Sequence, residues 1–266
     1  MAPALQHRRV HPERLTECAA ACSPPSNWGA AMPEIRATSF DFPRMRGHGP
    51  QTAEKAVVFP RAVVTAAAGI TGYSVGFVGK DHHLGRMVLG IESLVSGSAV
   101  RVIARLGLRD WSGNWDDNYA GDITAAVLAE LDFLVPPLPS ADAGIDGDRS
   151  QKAPTHLPPV PGQDGMKVVH GSVTFAPLSG SGPREATSDV TFARPVSVVA
   201  GLLTGFDVRF SASDGDHHLA GLDVRLDTAR LDARNTRVTA TFGLRDASGK
   251  WDDRYEGTVF FSVVGE

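Results

Sequence analysis

The chain has 266 residues, a net charge of -4 and a pI near 6.1. Near-balanced charge without a basic block argues against nucleic acid as a partner. No apolar run approaches the roughly 20 residues of a membrane-spanning helix, so no membrane insertion is expected.

Residues 1–33 are predicted to be a disordered tail. Arg8, Arg9, Glu13, Arg14 and Glu17 interrupt the apolar core that a signal peptide requires, and localisation stays open. Met32 is expected to be the natural start, because the first patterned segment begins at Ile35. Both cysteines, Cys18 and Cys22, fall in this tail, so the rest of the chain is expected to fold without disulfides.

Residues 34–131 form a first β-rich repeat, with apolar residues alternating at Tyr73, Val75 and Phe77 and at Val100, Val102, Ala104 and Leu106. Residues 132–165 follow as a Pro/Gly-rich spacer holding seven of the 18 prolines, a composition that favours an extended segment without a core. Residues 166–266 form the second repeat. Phe206, Val208 and Phe210 alternate with Asp207 and Arg209, and Leu222, Val224 and Leu226 with Asp223 and Arg225. Val238, Ala240, Phe242 and Leu244 alternate with Thr239 and Thr241. Period two with one apolar side predicts half-buried antiparallel strands, and Val196–Val199 and Thr258–Val264 read as further strands. The expected fold is all-β: two tandem antiparallel β-sandwich domains of about six strands each, joined by the spacer.

Two signatures are duplicated. Gly107-Leu-Arg-Asp-Trp-Ser-Gly-Asn-Trp-Asp-Asp-Asn-Tyr-Ala-Gly121 returns as Gly243-Leu-Arg-Asp-Ala-Ser-Gly-Lys-Trp-Asp-Asp-Arg-Tyr-Glu-Gly257, with eleven of fifteen positions identical. Asp81-His-His-Leu84 returns as Asp216-His-His-Leu219. Such self-similarity marks one module used twice.

Ser-Gly between two strands is a turn signal. In one reading the segment is a hairpin whose Trp covers an open end of the core and whose Arg pairs with an Asp. In another it binds sugar. An exposed aromatic face suits the C–H side of a pyranose, carboxylates accept bonds from hydroxyls, and Arg adds a planar donor fork. The candidate ligand-binding residues are Arg109, Trp115, Asp116, Asp117 and Tyr119 in the first repeat, and Arg245, Trp251, Asp252, Asp253 and Tyr255 in the second. His82 and His218 are added from the second signature. A Ca²⁺ loop on Asp246, Ser248 and Asp252 or Asp253 is an alternative, although the terminal Glu of such loops is missing. Otherwise no cofactor and no metal centre are expected, since adjacent histidines on a strand point to opposite faces. No nucleophile motif, phosphate loop or dinucleotide fingerprint is present, so no enzyme activity is expected.

Asp189-Val-Thr-Phe192, Arg194-Pro-Val-Ser-Val198, Gly205-Phe-Asp-Val208, the strand Leu222–Leu226 and Arg237-Val-Thr-Ala-Thr-Phe242 before a Trp-containing turn resemble the H-type lectin domain of snail agglutinins and discoidins. Val57-Val-Phe59, Arg61-Ala-Val-Val-Thr65 and Gly72-Tyr-Ser-Val75 are the first-repeat counterparts. The resemblance implies a six-stranded sandwich, association into trimers, and binding of galactose or N-acetylgalactosamine. The family's final apolar-Trp-aromatic ending is replaced here by Val259-Phe-Phe-Ser-Val263. The expectation is a non-enzymatic, multivalent carbohydrate-binding homo-oligomer. The rival expectation is a structural or adhesion protein whose duplicated sandwich mediates protomer contacts.

Overall fold

The computed structural model describes residues 33–46, 49–78, 83–115, 118–132, 165–179, 181–212 and 217–266. Apart from residues 33, 132 and 165, the expected tail and spacer lie outside them. The described residues form twelve strands and no helix. The first repeat supplies β1 (Glu34–Arg46), β2 (Gln51–Val58), β3 (Val63–Phe77), β4 (Leu84–Ser96), β5 (Ala99–Asp110) and β6 (Asn118–Leu131). The second supplies β7 (Lys167–Ser179), β8 (Arg184–Thr191), β9 (Val199–Phe210), β10 (Leu219–Arg230), β11 (Asn235–Asp246) and β12 (Arg254–Gly265).

Period-two patterning explains the strands. On β11, Val238, Ala240, Phe242 and Leu244 are fully buried, while Arg237 just before them is exposed and pairs with Asp189 of β8. Val196 to Val198 do not join a strand, contrary to the alternation of that stretch. Pro195 lacks a donor for a ladder. The residues after it bond elsewhere: Val196 N to Ala233 O, and Ser197 N and Val198 N to Glu266 O.

Every pairing is antiparallel. The first repeat orders its strands β1-β6-β3 and β2-β5-β4; the second orders them β7-β12-β9 and β8-β11-β10. The repeats therefore have one topology, with counterpart strands in counterpart places. The two are joined by a pairing between β4 and β9, which fuses β2-β5-β4 and β9-β12-β7 into one six-stranded sheet. Met87 lies opposite Val208, Val88 opposite Asp207, Leu89 opposite Phe206 and Gly90 opposite Gly205.

Three features secure this seam. Arg86 donates to both oxygens of Asp207, at 2.8 Å from Nε and 2.5 Å from Nη2. A skipped residue in the β9–β12 ladder, where Phe260 pairs with Gly205 and Phe261 with Leu203, leaves Thr204 as a bulge and bends β9. Beside that bulge the strands come so close that a Cβ on Gly205 would lie 2.4 Å from Leu89 O. One apolar core runs through both repeats. A smaller cluster of Ala67, Met166 and Val264, flanked by Leu128, Val168 and Leu202, packs β3 and β6 against the second repeat.

Candidate functional site

The duplicated Arg-Asp-x-Ser-Gly-x-Trp segment forms the turn β5–β6 and again the turn β11–β12. Asp110 Oδ1 accepts from Ser112 N at 2.9 Å and from Ser112 Oγ at 2.5 Å, and Ser112 Oγ accepts from Asn114 N at 3.2 Å. The second copy repeats this: Asp246 Oδ1 accepts from Ser248 at 2.9 and 2.6 Å, and Ser248 Oγ from Lys250 N at 3.2 Å. Gly113 and Gly249 follow at φ +85° and +81°, which an L side chain rarely adopts. Asp, Ser and Gly are thus each required by the turn, and Asp246 Oδ1 and Ser248 Oγ bond to one another.

The tryptophans sit against the turn's own base. A Cβ on Gly107 would lie 2.9 Å from Trp115 Cζ3 and 2.9 Å from Pro50 Cα; on Gly243 the distances are 2.7 Å to Trp251 and 2.9 Å to Pro183. Arg109 lies 5.8 Å from the Trp115 ring centre and Arg245 5.6 Å from that of Trp251, within cation–π range. Both tryptophans are half-buried. Tyr119 and Tyr255 are fully buried, against the expectation that they face a ligand. Their polar ends serve the fold: the Tyr119 hydroxyl lies 3.2 Å from both Gly49 O and Leu106 O, and the Tyr255 hydroxyl donates to Gly182 O at 2.7 Å. Asp252 is exposed, whereas Asp253 turns inward. Asp116, Asp117 and His82 lie outside the described residues.

The described residues of the two Asp-His-His-Leu copies, His83-Leu84 and His217-His218-Leu219, meet at the seam. The rings of His83 and His218 lie 3.5 Å apart between centres, and Leu84 N donates to His217 O at 3.1 Å. His217 joins the two signatures: its Nδ1 is 3.6 Å from Asp246 Oδ2 and 3.6 Å from Asp253 Oδ1, and its ring packs on Phe210. Burial raises the Asp246 pKa, but the Ser248 hydroxyl and amide and the His217 ring outweigh it, so the carboxyl titrates below the usual range. One nitrogen and two carboxylate oxygens within 4.8 Å of one another are a donor set that a divalent cation accepts, one ligand short of a closed tetrahedral site. Sequence reasoning selected His218 instead of His217, because nothing in a His-His pair says which ring turns toward Asp246.

A second cluster was not legible in the sequence. A cavity of about 490 Å³ opens along the seam, lined among others by Glu92, Ile103, Arg105, His170, Phe260 and Ser262. These residues come from β4, β5, β7 and β12, and thus from both repeats. Phe260 is 42% exposed. His170 Nδ1 lies 2.8 Å from Ser262 Oγ, and Arg105 Nη2 lies 3.9 Å from Glu92 Oε1. Ser262 is only 1% exposed, and its hydroxyl is held by His170. On the single strand each of these residues reads as an ordinary outward position, and only the β4–β9 pairing brings them together.

Compared with known proteins, the chain matches no family model, no curated protein and no solved structure, and none of these comparisons identifies an H-type lectin domain.

Proposed function

We propose that this protein binds carbohydrate without transforming it, and that the ligand lies in the groove between the two repeats. The observation that carries this reading is the juxtaposition in one cavity of about 490 Å³ of an exposed phenyl ring, a guanidinium, a carboxylate and an imidazole. That volume is within the range of about 300–1,000 Å³ usual for small-ligand sites. Phe260 offers an apolar face to the C–H side of a sugar ring. Arg105 donates to ring hydroxyls, Glu92 accepts from them, and His170 is held in place by Ser262. The resemblance to H-type lectins supplies the sugar class, galactose or N-acetylgalactosamine. The turn residues Trp115, Trp251, Arg109 and Arg245 support the sandwich ends, and Trp111 (37% exposed), Asn114, Lys250 and Asp252 are among the turn side chains that reach solvent.

The test is a glycan array on the full chain, followed by titration of any bound sugar against Phe260→Ala and Arg105→Ala. Selective binding that weakens at least about tenfold in each variant is expected, since loss of a stacking face or a charged hydrogen bond costs about 1.4 kcal/mol or more. A blank array from folded protein would sink the reading. A chelator arm separates the groove from the His217, Asp246 and Asp253 cluster, because no groove residue named here belongs to that cluster.

A second reading, a structural protein that builds assemblies, is favoured by the internal work done by the duplicated turns. The fully buried tyrosines, the seated tryptophans and the capped aspartates all serve folding.

A further inference from the structure

The β11–β12 turn uses one oxygen of Asp246 for itself and directs the other toward His217. Asp246 Oδ1 accepts from Ser248, whereas Asp246 Oδ2 lies 3.6 Å from His217 Nδ1. Asp253 Oδ1 lies 3.6 Å from the same nitrogen. Both separations are longer than an N–H···O hydrogen bond, which spans about 2.7–3.2 Å. They match the edge of a tetrahedral zinc site, whose metal–ligand arms of about 2.0–2.2 Å set neighbouring donor atoms about 3.3–3.6 Å apart.

The three donors come from separate segments, and each segment is fixed. His217 precedes β10; its ring packs on the buried Phe210 at 4.8 Å between centres, and its carbonyl accepts from Leu84 N. Asp246 ends β11 and is held by Ser248. Asp253 stands just before β12, where Ser211 N donates to Arg254 O at 2.8 Å. Ligands held in this way need little ordering when a metal arrives. The side chains of His217, Asp246 and Asp253 are 14%, 17% and 14% exposed. Two carboxylates are thus gathered largely out of water, an arrangement that like charges resist and a dication relieves. The first repeat carries the same residue types at the counterpart positions His82, Asp110 and Asp117, of which His82 and Asp117 lie outside the described residues. The set is retained although Trp111 and Asn114 of that turn stand where the second repeat has Ala247 and Lys250.

We infer that His217 Nδ1, Asp246 Oδ2 and Asp253 Oδ1 bind a Zn²⁺ ion and leave its fourth position open to water or a ligand group. The nitrogen decides the class of metal. Ca²⁺ and Mg²⁺ take oxygen donors, whereas imidazole with carboxylates suits transition-metal dications, and zinc fits three ligands with an open fourth position. The expectation against a metal centre placed both histidines on a strand, but His217 lies before β10 and is in no strand. The ion neutralises the two carboxylates and ties the start of β10 to the β11–β12 turn, beside the join with the first repeat at Leu84. The inference is independent of the sugar groove, since none of the three residues lines that cavity.

The experiment titrates zinc chloride into the full chain carrying Cys18→Ser and Cys22→Ser, which removes the thiols as competing ligands. Calorimetry is expected to give a Kd at or below about 10 μM. Zinc at about a hundredfold excess over Kd should raise Tm by about 5–11 °C. His217→Ala and Asp253→Asn should each weaken that binding at least about tenfold, since even changes outside the ligand shell of a metal cost about 10–100-fold. Asp253→Asn keeps the shape of the side chain and stays informative where His217→Ala fails to fold. His218→Ala is the control and should bind zinc as its parent does; equal weakening there would overturn the assignment of the nitrogen to His217. A folded chain that binds no zinc at up to about 100 μM would overturn the site. So would binding that both His217→Ala and Asp253→Asn leave unchanged. Tighter binding of Ca²⁺ than of Zn²⁺ would overturn the nitrogen ligand.

Discussion

Gly205→Ala is the sharpest probe of how the two repeats are held together. The added Cβ would lie 2.4 Å from Leu89 O and 2.8 Å from Gly90 Cα. Both are main-chain atoms of β4, so no side chain can swing away. Ordinary contact begins near 3.4 Å, and β4 must therefore retreat by up to about 1 Å over the short ladder from Met87 to Gly90. Overpacking of this kind costs about 1–3 kcal/mol. For a folded unit of this size each kcal/mol moves Tm by about 2–4 °C, so the expected loss is about 2–12 °C. The control is Gly76→Ala on β3, where a Cβ meets nothing within 4 Å and the backbone is not left-handed. Thermal unfolding followed by circular dichroism at a concentration below any self-association reads both variants. An unchanged Tm for Gly205→Ala, or an equal loss in both, would refute the claim that the seam depends on backbone approach at Gly205.

Two further outcomes follow from the same geometry. Tyr255→Phe removes the hydroxyl that donates to Gly182 O at 2.7 Å and should cost about 0.5–1.5 kcal/mol in denaturant titrations, with sugar binding unchanged; a loss of binding without a loss of stability would return Tyr255 to the ligand. Asp246 has a depressed pKa in the folded state, so its contribution is present above the usual carboxylate value near pH 4 and is lost as pH falls through the lower folded value. Asp246→Asn should therefore be less stable than the native chain at pH 7, and the two unfolding midpoints should converge as pH drops toward about 2. A gap that stays constant down to that pH would mean that the carboxylate charge contributes nothing.

The site was only partly legible because its residues answer to different constraints. The turn motif was readable as a turn: Asp110, Ser112 and Gly113 each meet a local need within four residues, and the second copy meets it in the same way. The exposure of its aromatics was not readable. Tyr119 and Tyr255 have the same neighbours in sequence whether the ring points outward to a ligand or inward to Gly49 O and Gly182 O, and the choice is made by packing against residues some 70 positions away. His217 and Asp246 likewise meet only because β10 runs beside β11 with Leu219 opposite Asp246.

The sequence by itself determined the strands, their inward faces and the fact that one module is used twice, because period-two alternation and turn chemistry act over a few residues. Only the tertiary structure decided which edges meet. Met87, Leu89 and Ile91 on β4 carry the same apolar pattern as Leu222, Val224 and Leu226 on β10, and a local pattern cannot tell a covered edge from an open one. The bulge at Thr204 and Gly205 recur on β3 at Thr71 and Gly72, whereas the Arg86–Asp207 pair, which joins residues more than 100 positions apart, has Gly221 and Ser74 as its counterparts and forms at the β4–β9 join alone.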